Sequence, residues 1–333
     1  MMNLFLIAAA FVAAALTSAP DGAAALPLIA ALGLVNSAQL TSLFTGFKAV
    51  FKTAFDGVAD SGLLNLAMRV ASTNKNEEYG WLGKFPGLRE WIGARQVHEL
   101  AANGYTIKNR DFEETVGVDR NDIEDDNLGV YSPLIAQLGF DARRHPATLL
   151  AEILLAGETT PCFDGQPMFA AAHPNGAAGT YSNLLAANAL TADNYAAARA
   201  AMMAYTNEAG TPLGVLPAHL IVPPQLEGVA RAILNAEMVA SGNAGVSNVW
   251  RNSAELVVAP ELAGAPTAWY LADLRRPVKP LILQMRKEPE FVSKDKPDDD
   301  AVFTKKQYLY GVDYRGAVGY GLPHLIIKGR PAA

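Results

Sequence analysis

The chain has 333 residues, of which 50% are hydrophobic and only 18% charged, against about 25% charged in an ordinary globular domain. Such a chain can bury a large core and still hold apolar surface for partners. Its 27 Lys and Arg against 33 Asp and Glu leave a net charge of −6, which excludes a surface built to grip nucleic acid, since that needs a basic patch. A single cysteine, Cys162, excludes an intrachain disulfide framework and a cysteine-rich zinc module. The length fits one large domain or two intermediate ones.

At the N-terminus, Leu4 to Leu16 is an apolar run. It is shorter than the roughly 20 residues a membrane span requires and has the length of a signal-peptide core. Thr17-Ser18-Ala19 supplies small residues after it, but no Lys or Arg precedes Lys48, and Pro20 follows the obvious cleavage point. Residues 1–35 therefore read as an apolar extension, signal-like or arising from a misassigned start, and the structured chain is expected to begin near Asn36.

Residues 40–55 place Leu43, Phe44, Phe47, Phe51 and Phe55 on one helical face. That helix docks on its own core, or offers Phe44 and Phe47 to another subunit. With only Lys48 and Lys52 as cations it is a poor membrane binder. Tyr79 to Gly93 is aromatic and glycine-rich with Pro86 inside, so it forms no long regular element. Trp81 and Trp91 read as anchors of an irregular arm. Asn103 to Leu134 then reads as an exposed, charged β-hairpin turning at Asn109-Arg110-Asp111 and feeding a helix. Lys108, Arg110, Asp111, Glu113 and Glu114 crowd its tip. A hairpin that buries so little of itself points to assembly rather than chemistry.

A helix is expected from about Tyr131 to Gly157, with Leu149, Leu150, Ile153 and Leu154 as its buried stripe and a kink or a break into two helices at Pro146. Loops follow to Asn183. Thr191 caps a helix through Glu208, with Tyr195, Ala198, Met202 and Tyr205 inward. His219–Val222 is a short strand stopped by Pro223-Pro224, which open a helix with Leu226, Val229, Ala230, Ile233 and Leu234 on one face. Beyond Asn248 the pattern becomes strand-like, at 255–258, 269–271, 281–285, 307–314 and 325–328, with a charged loop at 295–300. Helices mixed with strands out of strict alternation make the chain α+β.

The residues offer little chemistry. The phosphate-loop and zinc-protease motifs are absent. The spaced glycines of Gly316–Gly321 precede no helix. Cys162 with His173 is the one plausible nucleophile–base pair, with Asp164 available as a third member, but a lone cysteine is more simply a small buried hydrophobe. Asp119, Asp122, Glu124, Asp125 and Asp126 do not follow the calcium-loop pattern and read instead as acidic residues at a helix N-terminus. No histidines stand at metal-ligand spacing. No catalytic, cofactor-binding or metal-binding residue is assigned.

Four runs carry a resemblance: YGWLGKFPGLREWIG (79–93), NGYTIKNRDFEETVGVDRNDIEDDNLGVYSPL (103–134), HPATLLAEILLAG (145–157) and PCFDGQPMF (161–169). They resemble the major head (capsid) subunit family of Mu-like phages and prophages, over roughly Asn36 to the C-terminus. The resemblance implies the Hong Kong 97-type capsid fold, with an N-terminal arm (36–95), an extended loop (96–120), a spine helix and peripheral domain (121–212), an axial domain (213–300) and C-terminal strands returning to the peripheral domain (301–333). It implies self-assembly into pentamers and hexamers of an icosahedral head, in the virion, around double-stranded DNA that is enclosed without sequence-specific binding. Implied partners are further copies of the chain and the phage's portal, scaffold and maturation protease, with assembly in the bacterial host cytoplasm and no membrane, cofactor or enzymatic activity. Two other classes remain open at this point: an encapsulin-like non-viral shell, and an exported soluble protein using Cys162 and His173 as a hydrolase.

Overall fold

The computed structural model describes residues 37–82, 104–125, 128–241 and 244–332. The apolar extension, Trp91 and most of the aromatic arm lie outside the described residues. In chain order the elements are α1 (Ser37–Gly57), β1 (Ala67–Ala71), β2 (Asn76–Glu78), β3 (Thr106–Lys108), β4 (Arg110–Asp119), α2 (Arg120–Glu124) and α3 (Ser132–Leu155). There follow β5 (His173–Pro174), β6 (Thr180–Tyr181), β7 (Leu184–Ala186), α4 (Ala192–Met203), β8 (His219–Val222), α5 (Glu227–Leu234), β9 (Met238–Ser241) and β10 (Ala244–Ser247). The last are β11 (Glu255–Val258), β12 (Trp269–Ala272), β13 (Leu281–Lys294), α6 (Asp300–Lys305), β14 (Gln307–Tyr320) and β15 (Ile326–Arg330).

The chain divides into two compact units. The first takes the residues up to Val58, Glu113–Ala142 and Glu290–Asp313. Its core forms because α1 repeats apolar residues at helical spacing, burying Leu40, Leu43, Phe47 and Phe51. Phe47 meets Tyr310 edge-on at 5.1 Å, and Phe51 lies 5.2 Å from Phe291. Ile135 and Leu138, from the N-terminal half of α3, complete this core. A Cβ on Gly139 would stand 2.5 Å from the Phe51 carbonyl oxygen, so glycine is what lets the two helices approach there.

The second unit takes Ala59–Phe112, Arg143–Pro289 and Tyr314 onward. Its centre is a five-stranded sheet in the order β11-β8-β12-β15-β7. β12 is buried at every position and β8 at three of four, as expected of strands covered on both faces. The sheet draws β7 from 121–212, β8, β11 and β12 from 213–300, and β15 from 301–333, so it unites three stretches that the sequence reading separates.

Several expectations need correction. α3 continues through Pro146 as one 24-residue helix rather than two abutting ones. One end packs Ile135 and Leu138, and the other Leu150 and Leu154, which holds it across the missing N–H. α4 ends at Met203, not Glu208, because Asn207 folds the following chain into a turn, its Oδ1 accepting from the N–H of Ala209 and of Thr211. Tyr205 is buried all the same. Val229 is 41% exposed. The turn Pro224–Leu226 is 3-10 rather than α-helical, so the apolar face does not continue through it in register.

The largest correction concerns the hairpin. β3 pairs antiparallel with β2, Asn76 opposite Lys108 and Glu78 opposite Thr106, while β4 belongs to a four-stranded sheet in the order β1-β13-β14-β4. Asn109 is no turn tip but a buried joint between the two. Its amide donates to Ser72 Oγ and to the Asn74 carbonyl, both at 2.8 Å, and its Oδ1 accepts from Gln284 Nε2 at 2.7 Å. Local composition suggests a turn, but the partners that decide the matter lie 37 and 175 residues away. Asn109→Ala would leave the buried Gln284 amide without its side-chain acceptor, and is expected to cost about 2 kcal/mol, read as a lower urea midpoint.

Candidate assembly surface

Lys108, Arg110, Asp111, Glu113 and Glu114 are all exposed; alternation holds from Ile107 to Arg110, with Ile107 and Asn109 buried, and beyond it only Phe112 turns inward before Val116. Phe112 stacks on Tyr314 at 4.9 Å and meets His145 at 4.7 Å; the His145 ring is also hydrogen-bonded to the Tyr314 hydroxyl. Burial, chiefly, lowers the His145 pKa, and the nearby Arg110 adds to this. Arg110 lies 5.1 Å over the Phe112 ring, and Asp111 pairs with Arg315 at 3.2 Å. Such exposed pairs contribute little stability.

The aromatic candidates divide. Phe44 is half-buried and stacked on Phe291 at 5.6 Å. Phe47 has no exposed surface and belongs to the core of its own unit, so in this chain it touches no partner directly. Trp81 is half-buried, edge-on to Tyr79 at 6.1 Å. Trp91 lies outside the described residues. The acidic patch behaves as a helix start: Asp119 Oδ1 accepts from the Asn121 N–H at 2.8 Å.

The structure adds exposed apolar side chains that patterning does not reveal. Phe303 on α6 is 90% exposed, Val249 80% and Met238 62%. Phe303 follows the buried Val302, and adjacent helical residues cannot share a face. The sequence signal was Val-Phe in a single helical turn after a charged loop, too short a stretch to show a period. No helix among the described residues is long and apolar enough to cross a membrane.

Cys162, Asp164 and His173 are brought together. Cys162 Sγ donates to Asp164 Oδ1 at 3.0 Å, and His173 Nδ1 lies 2.6 Å from Asp164 Oδ2. The thiol faces the carboxylate, not the imidazole. Burial, then the hydrogen bond to Asp164, pushes its pKa far above the ordinary thiol value. Asp164 itself is held below the usual carboxylate range: burial acts to raise it, but bonds from His173, Cys162 and the Gln166 N–H prevail. The one side chain that could serve as base, His173, is hydrogen-bonded to Asp164 and not to the thiol, so the nucleophile–base contact that a Cys/His hydrolase needs is not made here.

Comparison with known proteins agrees with an assembly role. The family model of the Mu-like prophage major head subunit gpT matches residues 40–188, 185–262 and 261–332. The major capsid protein of Escherichia phage Mu is 32% identical over 288 residues, covering 86% of this chain and 72% of that protein. The FluMu major head subunit of Haemophilus influenzae is 33% identical over 296 residues, covering 88% of this chain and 74% of that protein. Among solved structures, the procapsid of bacteriophage JBD30 aligns with a TM-score of 0.56 and 34% identity, over 90% of this chain and 77% of that one. The α+β arrangement is the Hong Kong 97-type capsid fold, and these relatives are structural subunits rather than enzymes. The chain belongs to the family of Mu-like prophage major head subunits.

Proposed function

We propose that copies of this chain form the pentamers and hexamers of an icosahedral phage head that encloses double-stranded DNA. The observation that carries this is family membership over nearly the whole described chain, together with likeness to a phage procapsid subunit. The net charge of −6 suits a container that must not hold its contents tightly. DNA is thus enclosed without sequence-specific binding. Assembly takes place in the host cytoplasm, with portal, scaffold and maturation protease as further partners.

Within the subunit, α3 is the spine helix and the five-stranded sheet is the heart of the axial region. The extended loop is taken at 96–120. The charged row at Lys108–Glu114 lies within it, where it sets register between neighbours. Many individually weak contacts add through multivalency in a closed shell.

Exposed apolar side chains are the other half of the interface. Phe303→Ser should change unfolding free energy by no more than about 0.5 kcal/mol, as surface substitutions do, while lowering the yield of closed shells severalfold in sedimentation. Wild-type shell yield from this variant would remove Phe303 from the contact surface.

A further inference from the structure

Among the described residues, one group of cysteine, histidine and carboxylate ligand atoms converges: those of Cys162, Asp164 and His173 lie within 4.8 Å of one another. Local structure fixes each member. Cys162 sits at the start of a tight turn, its N–H donating to the Gln166 carbonyl at 2.8 Å and its own carbonyl accepting from the Gly165 N–H at 3.2 Å. The turn places Gly165 at φ +80°, the left-handed region. His173 is placed by the β5–β6 pair opposite Tyr181, whose ring stacks on the imidazole at 5.0 Å.

A fourth residue, outside the group, determines which nitrogen of His173 faces it. Asn183 Nδ2 donates to the Met168 carbonyl at 2.8 Å and the Pro323 carbonyl at 3.3 Å, and its Oδ1 accepts from the Ala170 N–H at 2.9 Å. Its orientation is therefore fixed: Oδ1 can only accept from His173 Nε2, 3.0 Å away. With Nε2 committed to Asn183, Nδ1 is the ring nitrogen that faces the Asp164 carboxylate, 2.6 Å away. A contact that short between a ring nitrogen and a carboxylate holds a proton, and a metal ion is what can take that proton's place. An imidazole that donates its far N–H to a fixed oxygen is the standard arrangement behind a metal-bound histidine.

We propose that Cys162, Asp164 and His173 bind a zinc ion that clasps the 161–174 loop, with a water as the fourth ligand. Thiolate, carboxylate and imidazole are the ligand types zinc takes, and the two anions balance its charge in a buried site. Ligand atoms around tetrahedral zinc stand about 3.4 Å apart, given bonds of roughly 2.0–2.3 Å. With Oδ2 as the Asp164 ligand, its 2.6 Å contact to His173 must open by less than about 1 Å, while the thiol sulfur, within 4.8 Å of the other two ligand atoms, draws in to the same spacing. That movement falls on the surface turn 163–167. Binding releases two protons to solvent, the thiol proton and the one held between His173 Nδ1 and Asp164, as the Zn–S, Zn–N and Zn–O bonds form in their place, so uptake strengthens as pH rises.

The full chain is loaded with zinc chloride, dialysed against zinc-free buffer and analysed for metal. About one zinc should be retained per chain, and cobalt(II) in its place should give a thiolate-to-cobalt charge-transfer band. Cys162→Ser should lose both. Zinc retained equally by wild type and Cys162→Ser, an adventitious ion only, would overturn the proposal, as would the absence of the cobalt band. Should Cys162→Ser fail to fold, the wild-type chain still decides: zinc should raise its melting temperature at concentrations where magnesium does not, and no rise at saturating zinc would overturn the proposal.

Discussion

Glu158→Ala is expected to lower unfolding free energy by about 3 kcal/mol. Glu158 is held from two directions. Lys328 Nζ lies 2.8 Å from Oε1, and Arg330 forks onto both oxygens at 2.9–3.0 Å. The asymmetry between the two cations decides the magnitude. Arg330 is about a third exposed and can return to water, whereas Lys328 is 5% exposed. Its ammonium lies 5.6 Å from the centre of both the Phe169 and Tyr270 rings. Removing the carboxylate strands that charge, and an uncompensated buried charge costs more than the pair itself contributes. Lys328→Met in the Glu158→Gln background should therefore recover most of the loss, and urea melts of both variants check this.

The same residue gives a pH prediction. Burial acts to raise the Glu158 pKa, but Arg330 and Lys328 outweigh it and the net shift is downward from 4.5. Asp273, buried yet bonded to Arg275 and to the Leu216 N–H, is likewise lowered from 3.8. A lowered folded-state pKa means the unfolded chain binds the proton more readily. The contribution is therefore fully present above about pH 5 and fades as pH falls through these carboxylates' folded values. Glu158→Ala should flatten the acid limb of a stability-against-pH curve; an unchanged limb would mean that other groups carry it.

Gly329→Ala is the second large effect. Gly329 pairs with Trp269 across β12 and β15, and an added Cβ would stand 2.2 Å from the indole Cε2 and 2.3 Å from Cζ2. The ring cannot yield: it is fully buried, and its Nε1 donates to the Asn188 carbonyl at 3.0 Å. Overpacking of this kind costs roughly 1–3 kcal/mol, and here the rigid ring puts the expectation near the top, about 3. Gly264→Ala is the matched control, since its Cβ would meet nothing within 4 Å. Differential scanning calorimetry should separate the two by about 4 °C; equal melting temperatures would refute the packing argument.

Legibility in the sequence followed the range of the forces involved. α1, the cap of α4 and the short strands β8, β11 and β12 were readable because apolar period and capping act within a few residues. The reading stopped β13 at 285 and β14 at 314, although both run on to 294 and 320; in β13 the charged run Arg286–Glu290 with Pro289 inside it hides the strand behind loop-like composition. Asn109 was misread as a tip because its defining bonds reach Ser72 and Gln284. The convergence of Cys162, Asp164 and His173 was visible only as a possibility, since Asn183, which fixes the tautomer, gives no pattern in sequence. Phe44, Lys108 and Arg110 could be named as candidates from composition, whereas the 90% exposure of Phe303 could not be read, because a six-residue helix offers no period.

The most direct test of the central claim is sedimentation of the purified chain lacking residues 1–35, with electron microscopy of the fast fraction. Closed shells, or rings of five or six copies, are the predicted result. A species that stays monomeric or dimeric, even with the phage's assembly factors added, would contradict it.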